Sequence, residues 1–408
     1  MFRTSAGTLL LVLGAAFLAP LVSARFRSLR LPALVFEIVL GMMLGPDVLD
    51  LVRVTDSIRL LANLGLATLI FLAGFELDLD QVRGRPLRLA LSGWLVSVVL
   101  GLAVASALLA TGVIKAELYV AFAFTTTALG TLLPIIRDEG LLGTPFGVHV
   151  LAVGSVGEFL PIIAVALLLS RTDPGNAALA LVAFAAVSVG AVVVALRSRP
   201  GRIRKELGRT LRSSGQLYIR LALALIALMT FLAAELGLDF LLGAFMAGIV
   251  YRLYVSAGAP EAELEVMEAK LEAVSFGYLV PIFFVVTGIT FDLHALAHPT
   301  ALLKIPLFVA ALLVVRGLPV LLYRRDLPER RTRWSLAMFS ATGLPLIVAI
   351  AEIGVSAGQM RSSTAAALVG AAMVSVIVFP IIGNVLAPPN ANPPVPRRGP
   401  SNRPDPAV

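Results

Sequence analysis

The sequence predicts an all-α polytopic membrane protein. Of its 408 residues, 58% are hydrophobic and only 14% are charged, and the mean hydropathy is +0.94. This composition is not that of a soluble globular domain. Apolar stretches of membrane-crossing length recur along the chain, and the charged residues lie in the short gaps between them. Because lipid cannot satisfy free backbone groups, closed helices are the expected form of each stretch.

Thirteen apolar segments are predicted to cross the membrane, since about 20 apolar residues span the hydrocarbon core. They are numbered here as spans 1 to 13. Their approximate limits are 5–24, 31–46, 58–77, 88–111, 118–136, 147–170, 176–196, 215–235, 238–254, 275–291, 300–323, 333–353 and 362–386.

The basic residues predict the orientation of these spans. Most arginines and lysines lie in alternate loops, above all in 25–30, 83–88, 197–212 and 324–333. By the positive-inside rule these loops are cytoplasmic. We therefore expect a multi-pass protein of the plasma or inner membrane, with its N-terminus outside and its C-terminus in the cytoplasm.

The net charge of +8 does not indicate a nucleic-acid partner, because the basic residues are spread over short loops between spans. The chain contains no cysteine, which excludes disulfides and thiolate metal sites. His149, His294 and His298 have no metal-ligand spacing on one helix and are expected in loops or at helix ends. No cofactor is expected.

The first span, the tail and one acidic stretch have features of their own. The first span is read as an uncleaved helix and not as a signal peptide, because the second span follows at once. The proline-rich tail 387–408 is predicted to be disordered. The acidic stretch 260–274 is predicted to form an amphipathic surface helix, for which a solvated face and a gating role both stay open.

An internal repeat connects the two halves of the chain. A shift of 214 residues aligns Gly74 with Gly288 and Asp138 with Glu352. The aligned spans 3 and 10 are seven crossings apart, so the two copies run in opposite directions across the membrane, as is typical of secondary transporters. The predicted transmembrane domain, 1–386, comprises repeat 1 (about 5–170), a linking helix (176–196) and repeat 2 (about 215–386).

Spans 5 and 12 occupy corresponding positions in the two repeats, and both contain helix-breaking sequences. Span 5 reads TTTALGTLLP from residue 125, and span 12 reads SATGLP from residue 340. Paired interrupted spans are a strong sequence indication of a midplane binding site, because an unwound chain exposes carbonyls and helix ends to an ion. The alternative is that Ser and Thr side chains bond back within intact helices.

Glu158 is the leading candidate for the site, being the one formally charged residue in 147–170. A charge at the bilayer centre costs about 2.5–3.5 kcal/mol even on the lenient insertion scale, so such an acid usually has a function. One carboxylate can hold a proton or a hard cation but hardly both. This mutual exclusion favours exchange of H⁺ for Na⁺ or K⁺.

Five further residues complete the candidate ion and proton site. Thr126, Thr127 and Ser155 offer hydroxyl oxygens of the kind that hard cations prefer. Glu76, near the end of span 3, is a second acid that could equally face water. Arg316, inside span 11, stays charged and must reach a carboxylate or carbonyls, either as a counter-charge in the site or as part of a structural pair. Glu37 in span 2 is a weaker candidate.

The sequence resembles the membrane domain of the monovalent cation:proton antiporter family 2, which includes Kef-type and bacterial Na⁺/H⁺ exchangers. The resemblance rests on LPALVFEIVLGMMLGP from residue 31, FLAGFELD from 71, FTTTALGTLLPIIRDEGLL from 124, GAFMAGIV from 243 and PIFFVVTGITFDL from 281, together with the basic residue in span 11. It implies the Na⁺/H⁺ antiporter fold, with two crossed discontinuous helices in a six-helix core. It also implies a homodimer, elevator-like alternating access, and Na⁺ or K⁺ and H⁺ as the transported ions.

Residue by residue, Glu158 matches the acid that binds the ion and proton in this family. Gly157 stands where relatives carry Asp, Asn or Gln. Thr126 and Thr127 match the unwound crossing, Arg316 the basic residue, and Glu76 an acid of some relatives. Because no second carboxylate stands beside Glu158, the resemblance predicts electroneutral one-for-one exchange.

Two other transport functions stay open at this stage, a gated cation channel or uniporter and a sodium/organic-solute symporter of related fold. A membrane enzyme is not supported, since the sequence offers no nucleophile–base pair, metal cluster or phosphate-binding loop.

Overall fold

The computed structural model describes residues 5–25, 32–76, 84–141, 144–168, 174–197, 215–256, 261–294 and 299–388. These ranges are helical throughout apart from short connections, and contain no strand. The α-helices are α1 (Ser5–Arg25), α2 (Ala33–Leu44), α3 (Asp56–Glu76), α4 (Arg85–Ala110), α5 (Glu117–Phe124), α6 (Leu129–Asp138), α7 (Pro145–Leu168), α8 (Pro174–Arg197), α9 (Leu217–Glu235), α10 (Phe240–Ser256), α11 (Glu261–Val274), α12 (Val280–Ile289), α13 (Pro299–Gly317), α14 (Arg330–Ser340), α15 (Pro345–Ser356) and α16 (Ser362–Leu386).

These helices confirm the predicted all-α membrane fold. Within the described ranges, nine helices are long and apolar enough to cross a membrane by length and composition, and α2 and α10 are shorter apolar helices. Spans 5 and 12 each consist of two short helices, α5 with α6 and α14 with α15. The remaining predicted spans each coincide with a helix to within a few residues.

Span 10 differs from its prediction, because it is not separate from the acidic helix before it. α11 continues through a π-helical turn, Ser275–Leu279, directly into α12. Pro281, at the start of α12, has no N–H to continue the regular pattern, and a π-turn is one way for a helix to absorb such a defect. Hydrophobic periodicity cannot reveal one extra residue in a turn. Span 11 similarly ends in a 3-10 segment, Leu318–Arg325, which contains Pro319.

The helices pack as two groups. The scaffold group contains α1, α2, α3, α9, α10 and α12, and the crossing group contains α4–α7 and α13–α16. α8 contacts one helix of each group, α7 and α10. Direct packing between the groups is sparse by comparison, and includes the stacked rings of Phe159 on α7 and Phe245 on α10, whose centroids are 4.8 Å apart.

Two glycine-mediated contacts in the scaffold group support the inverted repeat. A Cβ on Gly41 of α2 would collide with the Val285 carbonyl of α12 and lie 3.0 Å from the Gly288 Cα. A Cβ on Gly248 of α10 would collide with the Phe71 carbonyl of α3 and lie 3.0 Å from the Gly74 carbonyl carbon. The packing of span 2 on span 10 is therefore repeated by that of span 9 on span 3.

Several predictions fall outside the described residues. They concern nearly all of the tail 387–408, of which residues 389–408 are not described, as well as His298 and the side chains of Glu76 and Asp138.

Candidate functional site

The two interrupted spans cross at their unwound segments, residues 125–128 and 341–344. The Ala128 N–H donates to the Thr342 carbonyl at 2.8 Å. A Cβ on Gly343 would lie only 3.0 Å from Thr126 Oγ1. Because glycine has no side chain, the two segments can approach each other closely at this point. This crossing confirms that both helices are interrupted.

Hydroxyl groups and a proline explain where these helices stop and start. Thr125 Oγ1 donates to the Phe122 carbonyl at 2.8 Å and Thr126 Oγ1 to the Ala123 carbonyl at 2.9 Å. These bonds occupy carbonyls at the end of α5 and offer the backbone an alternative to a further helical turn. Pro345 opens α15, the position where a missing N–H does no harm.

Glu158 lies beside this crossing, on α7. Its residue is 8% exposed, and its carboxylate accepts a hydrogen bond from the Leu129 N–H at 3.2 Å. Leu129 is the first residue of α6, so the carboxylate lies at the positive end of a helix dipole. The Thr127 N–H donates to the Gly157 carbonyl at 2.8 Å, which holds α7 against the same crossing. Among the described residues, Glu158 has no basic side chain within ion-pair distance.

Arg316, on α13, is 3% exposed and extends into the crossing. Its guanidinium donates to Thr127 Oγ1 at 2.7 and 3.1 Å, to the Ser340 and Val153 carbonyls at 3.3 Å each, and to Ser97 Oγ at 3.3 Å. The side chain thus connects the unwound segment 125–128 and the last residue of α14 with α4 and α7. Its positive charge is satisfied by hydroxyls and carbonyls and not by direct contact with the Glu158 carboxylate.

Thr127 is the residue through which these elements meet. Its hydroxyl donates to the Ser340 carbonyl at 2.5 Å while accepting the two bonds from Arg316, and its backbone N–H holds Gly157. All three residues of the unwound segment that carry hydroxyls, Thr125–Thr127, are buried.

Gly157 leaves the space that Arg316 uses. A Cβ at this position would collide with Arg316 Nη2 and lie 2.6 Å from Thr127 Oγ1. The family that the sequence resembles carries Asp, Asn or Gln at this position. This chain instead has a glycine, and the guanidinium of Arg316 packs against it.

The other candidates are less closely engaged. Ser155 is half-buried on α7, one turn before Glu158, and its hydroxyl makes no hydrogen bond in the described part of the chain. Glu76 is the last residue of α3, and its side chain lies outside what the structure describes. Glu37 is buried on α2, in the scaffold group, away from the crossing.

Sequence reasoning did not assign four polar residues to the site, although Ser340 and Thr342 lie in the helix-breaking run of span 12. Ser97 binds Arg316, Ser340 accepts from Thr127 through its carbonyl, Thr342 accepts from Ala128, and Ser375 Oγ accepts from the Gly343 N–H at 3.2 Å. Ser97 and Ser375 were detectable in principle as buried polar residues in apolar spans. The contacts of the Ser340 and Thr342 carbonyls could not be predicted, because every residue type has a backbone carbonyl.

A second polar cluster lies at the end of the crossing group. The Asp326 carboxylate accepts from Arg85 Nε at 2.8 Å and lies 3.4 Å from His149 Nε2. His149 lies near the start of α7, at the end of a helix as expected, but it is buried. Its Nδ1 lies 2.7 Å from the Pro145 carbonyl, and its ring packs edge-on against Tyr323. The hydrogen bond from Arg85 holds the pKa of Asp326 below its ordinary value, and His149 adds to this effect against the opposing influence of burial.

The geometry at the crossing suits reversible binding of a small cation or a proton. Glu158 is a buried carboxylate with one backbone partner, and such a group is unsatisfied until it gains a proton or a cation. Carboxylate, hydroxyl and carbonyl oxygens are ligands of hard cations.

Comparison with known proteins places this arrangement in a family. Residues 13–387 match the family model described as sodium/hydrogen exchanger, transmembrane. The chain is 31% identical over 399 residues to the "Putative Na(+)/H(+) antiporter YjbQ" of Bacillus subtilis, an alignment that covers 93% of this chain and 63% of the relative. It is 28% identical over 329 residues to the Na⁺/H⁺ antiporter NhaS4 of Synechocystis, covering 74% of this chain and 77% of that one. The chain thus spans less than two thirds of the length of the Bacillus relative.

A solved structure supports the fold. The sodium proton antiporter MjNhaP1 from Methanocaldococcus jannaschii superposes with a TM-score of 0.64 at 18% identity, covering 93% of this chain and 96% of that chain. Because the family model matches nearly the whole chain, this chain belongs to the sodium/hydrogen exchanger family of transmembrane transporters.

Proposed function

We propose that the chain exchanges a monovalent cation, Na⁺ or K⁺, for H⁺ across the membrane, with Glu158 as the residue that binds each in turn. The observation that carries this proposal is the position of Glu158. It is a buried acid at the crossing of two unwound helices, bonded to one backbone N–H and to no basic side chain in the described region. The Na⁺/H⁺ antiporters among its relatives support the same activity.

Exchange follows from competition at one carboxylate. A bound proton neutralises Glu158 and removes the charge that a cation needs, while a bound cation occupies the oxygens that would take the proton. Thr126, Thr127 and Ser155 are proposed to contribute further oxygen ligands when the cation is present. In this proposal Arg316 is a counter-charge to the Glu158 carboxylate. It does not touch the carboxylate but binds Thr127 in the unwound segment beside it.

One-for-one, electroneutral exchange is proposed because Glu158 is the only acid at the crossing among the side chains that the structure describes. Gly157 contributes no titratable group beside Glu158, and its missing side chain is the space occupied by Arg316. Each complete cycle then moves one positive charge in each direction.

The division into two helix groups supports elevator-like alternating access. Glu158, Arg316 and both unwound segments all belong to the crossing group, so the whole site can move as one unit against the scaffold group. We propose a homodimer, as the resemblance implies, with the N-terminus outside the cell membrane and the C-terminus in the cytoplasm, as the distribution of basic residues predicts.

The test is exchange by purified protein in proteoliposomes. Addition of Na⁺ or K⁺ to acid-loaded vesicles should collapse ΔpH, and Glu158→Gln should abolish this response while the protein still folds. Glu37→Gln is the matched control, because it neutralises another buried acid of a span, away from the crossing, and it should retain exchange. Full exchange by Glu158→Gln would contradict the assignment of Glu158 as the residue that binds the cation and the proton.

Stoichiometry is tested by the reversal condition and not by the rate. For one-for-one exchange, net proton movement stops when the cation ratio equals the proton ratio, whatever voltage valinomycin and K⁺ impose on a Na⁺-loaded vesicle. A reversal point that moves with voltage would contradict electroneutrality. Cation flux without coupled proton movement would instead indicate a channel.

A further inference from the structure

Two cavities open at one end of the helix bundle, between the scaffold and crossing groups. The larger, about 1070 Å³, is called the vestibule here. It is lined by residues of α3, α5, α7, α9, α10 and α15, together with the short connections before α5 and α10 and after α15. The second, about 290 Å³, lies between α3, α12, α15 and α16. They share four lining residues, Arg59 and Asn63 on α3 and Glu352 and Ser356 on α15. These residues form the boundary between the two cavities.

Glu352 is the acid at this boundary, and its carboxylate is free. It is exposed, and no hydrogen bond or ion pair engages it in the described part of the chain. The other two vestibule acids are engaged locally. Glu117 accepts a hydrogen bond from Ser106, and the Asp239 carboxylate accepts from the Leu241 N–H at 2.9 Å.

Two cations, Arg59 and Lys115, line the vestibule with these acids. Arg59 lies on α3 of the scaffold group, whereas Glu352 lies on α15 of the crossing group. The two side chains face the same cavities from the two helix groups without forming an ion pair closer than 4 Å. The carboxylate and the guanidinium therefore face each other across the boundary of the two cavities without direct contact.

The vestibule leads toward the exchange site. Its lining includes Val165 on α7 and Ala349 on α15. Val165 is two turns beyond Glu158 on the same helix, a distance of roughly 10 Å at 1.5 Å per residue. The cavity therefore reaches from this end of the bundle to the level of Val165, with Glu352 at its boundary and Glu158 beyond its lining.

We propose that Glu352 attracts and positions the incoming cation on the vestibule side, and that Arg59 opposes it, so that this pair of charges determines the apparent affinity for cations arriving from that side alone. The proposal rests on the proposed function, because it concerns entry into that site. A carboxylate without an ion-pair partner in a cleft with low-dielectric walls raises the local concentration of cations, and a basic side chain in the same cleft lowers it. Glu352 does not touch the bound ion at Glu158, so it is a positioning residue.

The experiment compares cation-driven ΔpH in right-side-out and everted membrane vesicles, with Na⁺ added to one face at a time. Glu352→Gln should raise the apparent KM for Na⁺ about three- to tenfold from the vestibule face, leave the maximal rate unchanged, and leave KM from the opposite face unchanged. Arg59→Gln should lower KM from the vestibule face. Both differences should shrink when choline chloride is raised well above 0.1 M, where the Debye length falls below about 10 Å.

Asp56→Asn is the matched control, because it removes an exposed acid at the start of α3 that lines neither cavity, and its KM should stay at the wild-type value. Glu352→Asp should restore the wild-type KM. An unchanged KM from the vestibule face in Glu352→Gln, or an equal shift from both faces, would overturn the proposal while leaving exchange by the wild-type protein intact. Absence of exchange in the wild type would instead contradict the proposed function.

Discussion

At the scale of single residues, the site depends on the absence of a side chain at Gly157, which leaves room for the Arg316 guanidinium. Glu158 was identifiable from the sequence because it is the single charged residue of an apolar span, and an acid there is costly to keep. The arrangement beside it was not identifiable. Arg316 bonds to two carbonyls and two hydroxyls from four elements, and only the folded chain brings these atoms together.

Gly157→Ala should impair both stability and exchange. The new methyl group would displace the Arg316 guanidinium from Thr127 Oγ1, and buried groups that lose a partner cost about 1–3 kcal/mol. Gly130→Ala is the control, because a Cβ there meets nothing within 4 Å and alanine favours the helix. Thermal unfolding in detergent and reconstituted exchange measure the two effects. Wild-type behaviour of Gly157→Ala would show that Arg316 does not need its present position.

At the scale of helices, limits and breaks were largely predictable, whereas irregular turns were not. Hydroxyl residues, glycine and proline indicated both interruptions, and the structure places unwound segments there, at 125–128 and 341–344. The π-turn that joins α11 to α12 gave no signal, because hydrophobic patterning does not distinguish a turn with one extra residue. His149 contacts Asp326 and Tyr323, which are both distant in sequence, so its buried position could not be predicted.

Contacts between helices in the scaffold group depend on glycine. Gly248→Val should destabilise the protein by about 1–3 kcal/mol, the usual effect of overpacking, because its side chain would meet the Phe71 carbonyl and Phe75 N of α3. Gly277→Ala, where a Cβ meets nothing within 4 Å, should have little effect. Midpoints of thermal unfolding in detergent compare the two, and equal midpoints would argue against close packing of α3 on α10.

The link between Asp326, Arg85 and His149 joins the starts of α4 and α7 to the connection before α14, and it should make stability depend on pH. Because the folded pKa of Asp326 is lowered, its contribution is present above the ordinary aspartate pKa of about 3.9 and is lost as the pH falls through the folded value. Asp326→Asn should therefore unfold at a lower temperature than the wild type at pH 7, and the difference should narrow below about pH 4. A difference that is constant with pH would exclude this linkage.

At the scale of the whole molecule, orientation is a prediction from charge that the absence of cysteine makes easy to test. Span 12 begins near Arg330 and ends near Gln359, both exposed and at opposite ends of the bundle. In intact cells, a membrane-impermeant maleimide should label Gln359→Cys and not Arg330→Cys. The wild-type chain supplies an unlabelled background, and the reverse labelling pattern would invert the proposed topology.

The anchoring of Arg316 has an electrical consequence. Its charge travels with the crossing group, so in the proposed mechanism the empty site, with Glu158 ionised, carries no net charge, and the occupied site carries one positive charge whether the occupant is Na⁺ or H⁺. A voltage of 100 mV acts on one such charge with about 2.3 kcal/mol. Each half of the cycle then generates a transient current, equal in size and opposite in sign to the other. The complete cycle transfers no charge, although its individual steps respond to the membrane potential.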